Sequence, residues 1–492
     1  MPAAPLRLDA RPPARGLALT ALTALGALAM AALLTLAGCA GPGDMRPRAQ
    51  PLAAAQAGLQ PGAAPVVAET WWTTFGDAQL DALVAKALQD HPNLTAAAAR
   101  LERARAAVAG IDAAGSPQAQ GSLEVSRQRF TENGIVPPPL AGSVRNLGTL
   151  QAGLSWELDF FGRHRHELQA ALGAERAAQA EAQGVKVALA ANVARTYFQL
   201  GRLQAQRGVA DRTLAQRGQL LGLIQQRVRA GLDTHVELRQ GEGALPEARQ
   251  QIEALDEQIA LARHALAALT AQPPGALQGL QVTLRDGGAR PLPDDLPADL
   301  LARRPDVDAA RLRVEAAAAD LQAARAQFFP SVNLTAFAGF NAVGLDRLLD
   351  LGSRQAGVAP ALRLPLLDAG RLRANHRGRA ADVDAAVAAY NGAVLDAVRD
   401  VADQVASLRA LQRQRQEQVQ AQAAAESAYD LAVQRYRSGL SPYLTVLTAE
   451  TAVLAQRRAA ADLQARTLDT EVALLRALGG GYGPDPRLAR AP

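Results

Sequence analysis

Near the C-terminal end, Gln434 to Leu440 read QRYRSGL, and 208 residues earlier Gln226 to Leu232 read QRVRAGL. A chain that carries the same Arg-rich segment twice, each time running into a glycine, contains a duplicated unit. Gly231 and Gly439 stand where a helix C-terminus favours a residue of positive φ, and a new helix begins directly after each. Asp233 and Ser441 are candidate N-caps and Pro442 suits the first helical position. Thr234 with Glu237 offers a second register, as a capping box. Each motif predicts the tight turn of an αα-hairpin.

The duplication extends outward from these turns. Gly162-Arg163 matches Gly370-Arg371 at the same offset of 208, while His91-Pro92-Asn93-Leu94 resembles Arg304-Pro305-Asp306-Val307 at an offset of 213, which Pro117 and Pro330 share. The five-residue difference arises between Pro117 and Gly162, where an insertion belongs in a loop. Two equivalent halves result: residues 76–271 as the first repeat and 298–480 as the second, joined by a linker at 272–297 and followed by a tail at 481–492.

Before the repeats, Arg7, Arg11 and Arg15 precede an apolar run from Gly16 to Leu36, closed by Leu36-Ala37-Gly38-Cys39. Charged, apolar and small-residue segments in this order predict a secretory signal over residues 1–38 rather than a retained membrane helix. Cys39 is the only cysteine, so an internal disulfide or a cysteine-built metal site is excluded. Residues 39–75, rich in Pro, Gly, Ala and Gln up to about Thr70, suit a tether. Trp71, Trp72 and Phe75 are its packing anchors.

Helical spacing over Asp77 to Gln89 and Asn93 to Ala114 gives way after Pro117 to a period of two. From Leu150 to Phe160, Leu150, Ala152, Leu154, Trp156, Leu158 and Phe160 alternate with Gln151, Gly153, Ser155, Glu157 and Asp159. Gln118 to Arg127 is the expected partner strand. Ser331 to Phe340 and Gly357 to Leu366 form the second pair, with Pro360 and Pro365 pointing to an edge or a bend. Four strands of about ten residues have bilayer-crossing length. They cannot close alone, since an open sheet in lipid leaves unpaired backbone groups along both edges. Two copies would supply eight strands and three would supply twelve. The polar face, with Gln151, Ser155, Glu157 and Asp159, is expected to line a wet lumen.

Neither Gly162 to Arg229 nor Gly370 to Arg437 contains proline, and Val387, Val394, Val401 and Leu408 recur every seven residues. This predicts coiled-coil helices of about 67 residues, near 100 Å long at 1.5 Å per residue. Gly184, Gly201, Gly208, Gly218 and Gly222 make the first of them the less regular. Return helices are expected over Asp233 to Ala271 and Ser441 to Leu478.

Aromatic residues make up only 4%, so these helices pack through small side chains. The net charge of +5 is spread along helices among Asp, Glu and Gln, the pattern of a solvated face rather than a nucleic-acid surface. No convergent catalytic cluster, metal loop or phosphate-binding glycine pattern stands out. His164 and His166 stand where the second repeat has Leu372 and Ala374, which argues against a ligand role shared by the two halves.

Several stretches in this order resemble the outer-membrane factors, the TolC- and OprM-like channel-tunnels, and in particular their NodT-type lipoprotein efflux branch. They are Trp156-Glu157-Leu158-Asp159-Phe160-Phe161-Gly162-Arg163, Arg304-Pro305-Asp306-Val307, Ala324-Arg325-Ala326-Gln327-Phe328-Phe329-Pro330, Tyr436-Arg437-Ser438-Gly439-Leu440 and Ala477-Leu478-Gly479-Gly480-Gly481-Tyr482-Gly483. The resemblance implies an α+β membrane protein. Four transmembrane strands per protomer would complete a 12-stranded barrel in a homotrimer, with a periplasmic coiled-coil tunnel below. It also implies docking to a periplasmic adaptor coupled to an inner-membrane pump of the RND type, through hairpin tips at Arg229, Gly231, Leu232, Arg437, Gly439 and Leu440.

Leu-Ala-Gly-Cys likewise resembles the bacterial lipobox, so Cys39 is expected to carry the only non-protein group, a covalent lipid. Ala40 after it, in place of Asp, implies the outer membrane. Relatives often narrow the tunnel with aspartates after the second turn, where this chain has Thr445 and Thr448. A constriction built from Tyr443, Leu444 and these threonines is therefore expected. The function implied is a passive efflux conduit that is not an enzyme. A type I protein-secretion channel and a lipid-tethered periplasmic coiled-coil scaffold are the alternatives.

Overall fold

The computed structural model describes residues 46–60, 62, 66–285, 302–365 and 367–483. The signal segment, Cys39, part of the linker and most of the C-terminal tail lie outside them. The chain order is helices α1 (Ala78–Asp90) and α2 (Pro92–Gly115), strands β1 (Gln118–Arg129) and β2 (Val144–Leu158), and helices α3 (Arg163–Arg229) and α4 (His235–Leu269). The second half repeats it with α5 (Pro305–Ala326), β3 (Ser331–Val343), β4 (Arg354–Arg363), α6 (Ala369–Arg437) and α7 (Tyr443–Ala477). Among the described residues no helix is long and apolar enough to cross a membrane.

The chain divides into two compact units that cut across the sequence repeats, each drawing equivalent parts from both. One, from described residues of 46–49, 107–172 and 315–385, holds an antiparallel sheet in the order β1-β2-β3-β4. Its register gathers apolar residues from all four strands on one face, with Leu147, Phe337 and Val343 on the other. Leu123 pairs with Leu150 and Leu150 with Phe340; Leu154 pairs with Ala336 and Ala336 with Val358; Leu158 pairs with Val332 and Val332 with Leu362. Leu123, Val125, Leu150, Leu154, Val358 and Leu362 are all exposed, the expected state of a face whose solvent is lipid. On the other face Asn341 Nδ2 donates to Thr149 Oγ1 at 2.9 Å and Gln355 Nε2 to Gln151 Oε1 at 3.2 Å.

All four strands differ in extent from the sequence reading: β1 and β3 run on to Arg129 and Val343, and β2 begins at Val144 rather than Leu150. β4 covers Arg354–Arg363, not Gly357 to Leu366, because Pro365 supplies no ladder donor. Leu364 falls beyond the strand and Leu366 outside the described residues. Pro360 is tolerated because β4 is an edge. β2 ends at Leu158, so Asp159 does not line the polar face. Its carboxylate accepts from the amides of His164 (3.2 Å) and Arg165 (2.9 Å) and caps α3. Gln151, Ser155 and Glu157 do share that face, Glu157 pairing with Arg163 at 2.8 Å.

The second unit, from described residues of 50–106, 173–285, 302–314 and 386–483, contains most of the long helices. Its main core joins Trp71, Leu80, Val84, Val193, Tyr197, Leu200 and Leu266, with Phe75 against Phe198 at 5.1 Å, so the tether's aromatics are anchors. The tether itself is held, with the Leu52 amide on Asn391 Oδ1 at 2.7 Å. Val387, Val394, Val401 and Leu408 are all buried, as a heptad seam requires.

α3 is unbroken, contrary to the expectation of an irregular first helix. One of its glycines admits close approach: a Cβ at Gly201 would fall within 2.8 Å of both Leu284 Cδ2 and Val282 Cγ1, while a Cβ at Gly208, Gly218 or Gly222 would meet nothing within 4 Å. Arg304, nearly buried, binds Asp306 at 2.7 Å, reaches Asp400 at 3.4 Å and donates to the Ala477 carbonyl at the end of α7. Gly479, Gly480 and Gly481 all have positive φ, and a Cβ on them would overlap Arg303, Val187 and Glu69.

Candidate functional site

The two hairpin turns have the same backbone. After α3, the Gly231 amide donates to the Val228 carbonyl (3.0 Å) and the Leu232 amide to Arg227 (2.9 Å). After α6, the Gly439 amide donates to Tyr436 (3.0 Å) and Leu440 to Arg435 (2.8 Å). With φ of 70° at Gly231 and 74° at Gly439, both are Schellman closures, which satisfy the last helical carbonyls. Arg229, Leu232, Arg437 and Leu440 stand exposed around them.

The following helices start by different devices. Thr234 caps α4 in a full capping box with Glu237. Asp233 is therefore not the cap. α7 has Pro442 at the N-cap itself, one position earlier than expected, and no side-chain cap; the Ser441 hydroxyl is buried without a hydrogen-bond partner.

Asp233 instead joins the turns. Arg227 Nε and Nη2 donate to its two carboxylate oxygens at 3.0 and 3.2 Å, and the Tyr436 hydroxyl donates to the same carboxylate. Arg227 Nη1 also donates to the Tyr436 carbonyl at 3.1 Å. Both charged side chains are nearly buried, 12% and 9% exposed. Burial opposes ionisation of Asp233, but the hydrogen bonds from Arg227 and Tyr436 outweigh it and hold the carboxyl below its ordinary range. Burial, reinforced by Asp233, raises the Tyr436 phenol well above its usual value.

Beneath the turns, Leu220, Ile224, Tyr429, Tyr436, Tyr443, Val446 and Val453 form a separate core. Tyr443 is thus interior, with its ring 5.7 Å from that of Tyr436, whereas the other constriction candidates Leu444, Thr445 and Thr448 are exposed. Further along, Arg217 grips the buried Glu450 through Nε (3.0 Å) and Nη2 (3.1 Å), and Arg457 grips Glu426. Each of these pairs ties two helices together. His166 pairs locally with Gln169, and no group of metal-ligating side chains occurs among the described residues.

A bilayer-length sheet with one lipid-compatible face, continued by paired helical hairpins, defines one protomer of an outer-membrane channel. The chain belongs to the outer membrane efflux protein family, whose model matches residues 83–272 and 296–480, the two repeats in turn. It is 32% identical over 420 residues to the multidrug resistance outer membrane protein MdtQ of Escherichia coli O6:H1, covering 84% of this chain and 88% of that one. It is 36% identical over 355 residues to the fusaric acid resistance protein FusA of Burkholderia cepacia, covering 69% of this chain and 66% of that one. The crystal structure of the outer membrane protein VceC of Vibrio cholerae matches 85% of this chain and all of its own, at 33% identity and a TM-score of 0.79. The protein is an outer-membrane efflux channel, with its helical tunnel in the periplasm.

Proposed function

We propose that three copies close the sheet into a 12-stranded barrel and carry small toxic molecules outward as the passive exit duct of a tripartite efflux assembly. The observation that carries this is the four-stranded sheet, apolar on one face and unpaired at β1 and β4, which needs further copies to satisfy its edges in lipid. Gln151, Ser155 and Glu157 line the barrel interior. Arg229, Gly231, Leu232, Arg437, Gly439 and Leu440 form the surface for a periplasmic adaptor, and an RND-type inner-membrane pump supplies energy and selects cargo. Leu444, Thr445 and Thr448 border the closed periplasmic end, and the chain performs no catalysis. Cys39 carries the lipid that adds a second attachment to the outer membrane.

The test is site-specific photocrosslinking from Leu232 and Leu440, combined with conductance of the purified protein in a planar bilayer. The reading expects a heat-resistant trimer that conducts and an adaptor crosslink from both positions. A non-conducting monomer would refute the duct, and the absence of adaptor crosslinks from a conducting trimer would refute the docking surface.

A further inference from the structure

The lipid-facing side of the sheet is charged at one end only. Along β1 its residues run Ala119, Gly121, Leu123, Val125 and then Arg127 and Arg129; along β4 they run from Leu362 through Pro360, Val358 and Ala356 to Arg354. All three arginines lie at the strand ends beside the hairpin connections 130–143 and 344–353, away from the ends that join the helices, and hence toward the cell exterior. At the helix-joined end the same face shows Ala119, Trp156, Leu158, Val332 and Leu362, with no charge.

The strand ends step progressively across the sheet. Arg129 pairs with Val144, whereas Arg354 pairs with Phe340, itself opposite Leu150. Tilted barrel strands require this stagger, and it brings the outer ends of β1 and β4 to one level. Arg127 and Arg354 are exposed and form no ion pair among the described residues, and Arg129 meets only the exposed Glu132, at 3.2 Å. β1 and β4 are the two edges, so closing a ring of copies sets Arg127 and Arg129 of one copy beside Arg354 of the partner subunit.

We infer that each seam between protomers binds a phosphorylated glycolipid of the outer leaflet, the bisphosphorylated lipid A class. Guanidinium forks match phosphate oxygens, and the apolar rows below them, with Leu123, Val125 and Val358, receive the acyl chains. A seam site uses both edge strands, so an occupied site also fastens one protomer to the next. The inference rests on the trimeric barrel reading, and the experiment separates the two.

Trimer freed of lipopolysaccharide is titrated in detergent with bisphosphoryl lipid A, monophosphoryl lipid A and phosphatidylglycerol, binding being read by native mass spectrometry. Wild-type trimer should bind bisphosphoryl lipid A in preference to both others. Arg127→Gln with Arg354→Gln should weaken that binding roughly thirtyfold, at about 1 kcal/mol for each arginine removed. Arg363→Gln, at the helix-joined end on the opposite face, should leave it unchanged. Equal binding of the three lipids by wild type overturns the site whether or not the double variant assembles, and so does undiminished binding by an assembled double variant. A wild-type chain that forms no trimer at all refutes the barrel reading instead.

Discussion

The guanidinium carbon of Arg227, at the end of the first long helix, lies 4.7 Å from the ring centroid of Tyr436, at the end of the second. With Asp233 accepting from both, the two hairpin turns share one buried polar cluster. A buried network rigidifies when every member is satisfied and becomes costly when one partner is removed.

Tyr436→Phe keeps the ring over Arg227 and removes the hydroxyl from Asp233. The loss should be about 1.5–3 kcal/mol, the range for a hydrogen bond to a charged group. It should be local. Hydrogen exchange should accelerate in peptides covering the two turns and remain unchanged in the strands, and planar-bilayer conductance should rise or flicker. Unaltered exchange at the turns would refute the coupling.

The same cluster predicts an acid response. The native Asp233 carboxyl titrates below its ordinary value, near 3.9 in an unfolded chain, so ionised Asp233 contributes stability above that value. The contribution is lost as pH falls from about 4 through the lower native value, leaving Arg227 without its anionic partner. Protection at the turns, taken relative to the intrinsic exchange rate at each pH, should therefore fall below pH 4 in the wild type. Asp233→Asn should show lowered protection already at neutral pH, with little further change on acidification.

The repeat made the architecture legible because identical residues in two places mark identical structural demands, and Gly231 and Gly439 both take positive φ. The locking cluster escaped for the converse reason. It uses positions where the copies differ: Tyr436 against Val228, and Asp233 against Ser441. Those mismatches are the only signal in the sequence, and local rules pull Asp233 toward the capping role that Thr234 fills. The interior place of Tyr443 is not legible in the sequence, because period and polarity around a turn do not reveal that two hairpins pack into one core. The two faces of the strands followed from alternation alone, whereas the β4 boundary depended on where proline interrupts pairing.

Gly479 combines φ of 102° with a backbone contact, since a Cβ there would overlap the Arg303 carbonyl. Gly479→Ala should cost about 3 kcal/mol or more, adding backbone strain to overpacking. Because this glycine lies where Arg304 joins α5 to the end of α7, the expected outcome is loss of folded trimer, read as loss of the heat-resistant band.

Cys39→Ser should abolish palmitate labelling while leaving the heat-resistant trimer, because an acyl anchor adds to a barrel that already spans the bilayer. Persistent labelling would reject the lipidation site. Loss of trimer would make the anchor part of assembly.

Gly231 and Gly439 give the cleanest separation of folding from docking. A Cβ at Gly231 would meet nothing within 4 Å, and one at Gly439 only Arg227 Nη1 at 3.9 Å, so substitution there strains the backbone without a clash. An L residue held at such φ costs about 1–2 kcal/mol, most for β-branched side chains and least for asparagine. Gly231→Val with Gly439→Val should distort both exposed turns and leave the strands, in the other compact unit, intact. Trimer yield and heat resistance should hold while adaptor crosslinking from Leu232 and Leu440 falls together with export. Gly231→Asn with Gly439→Asn keeps the left-handed turn and should retain both activities. If valine and asparagine variants lose export equally, a missing Cβ rather than turn geometry is what the partner reads; if the valine pair exports and crosslinks normally, the turns are not the docking surface.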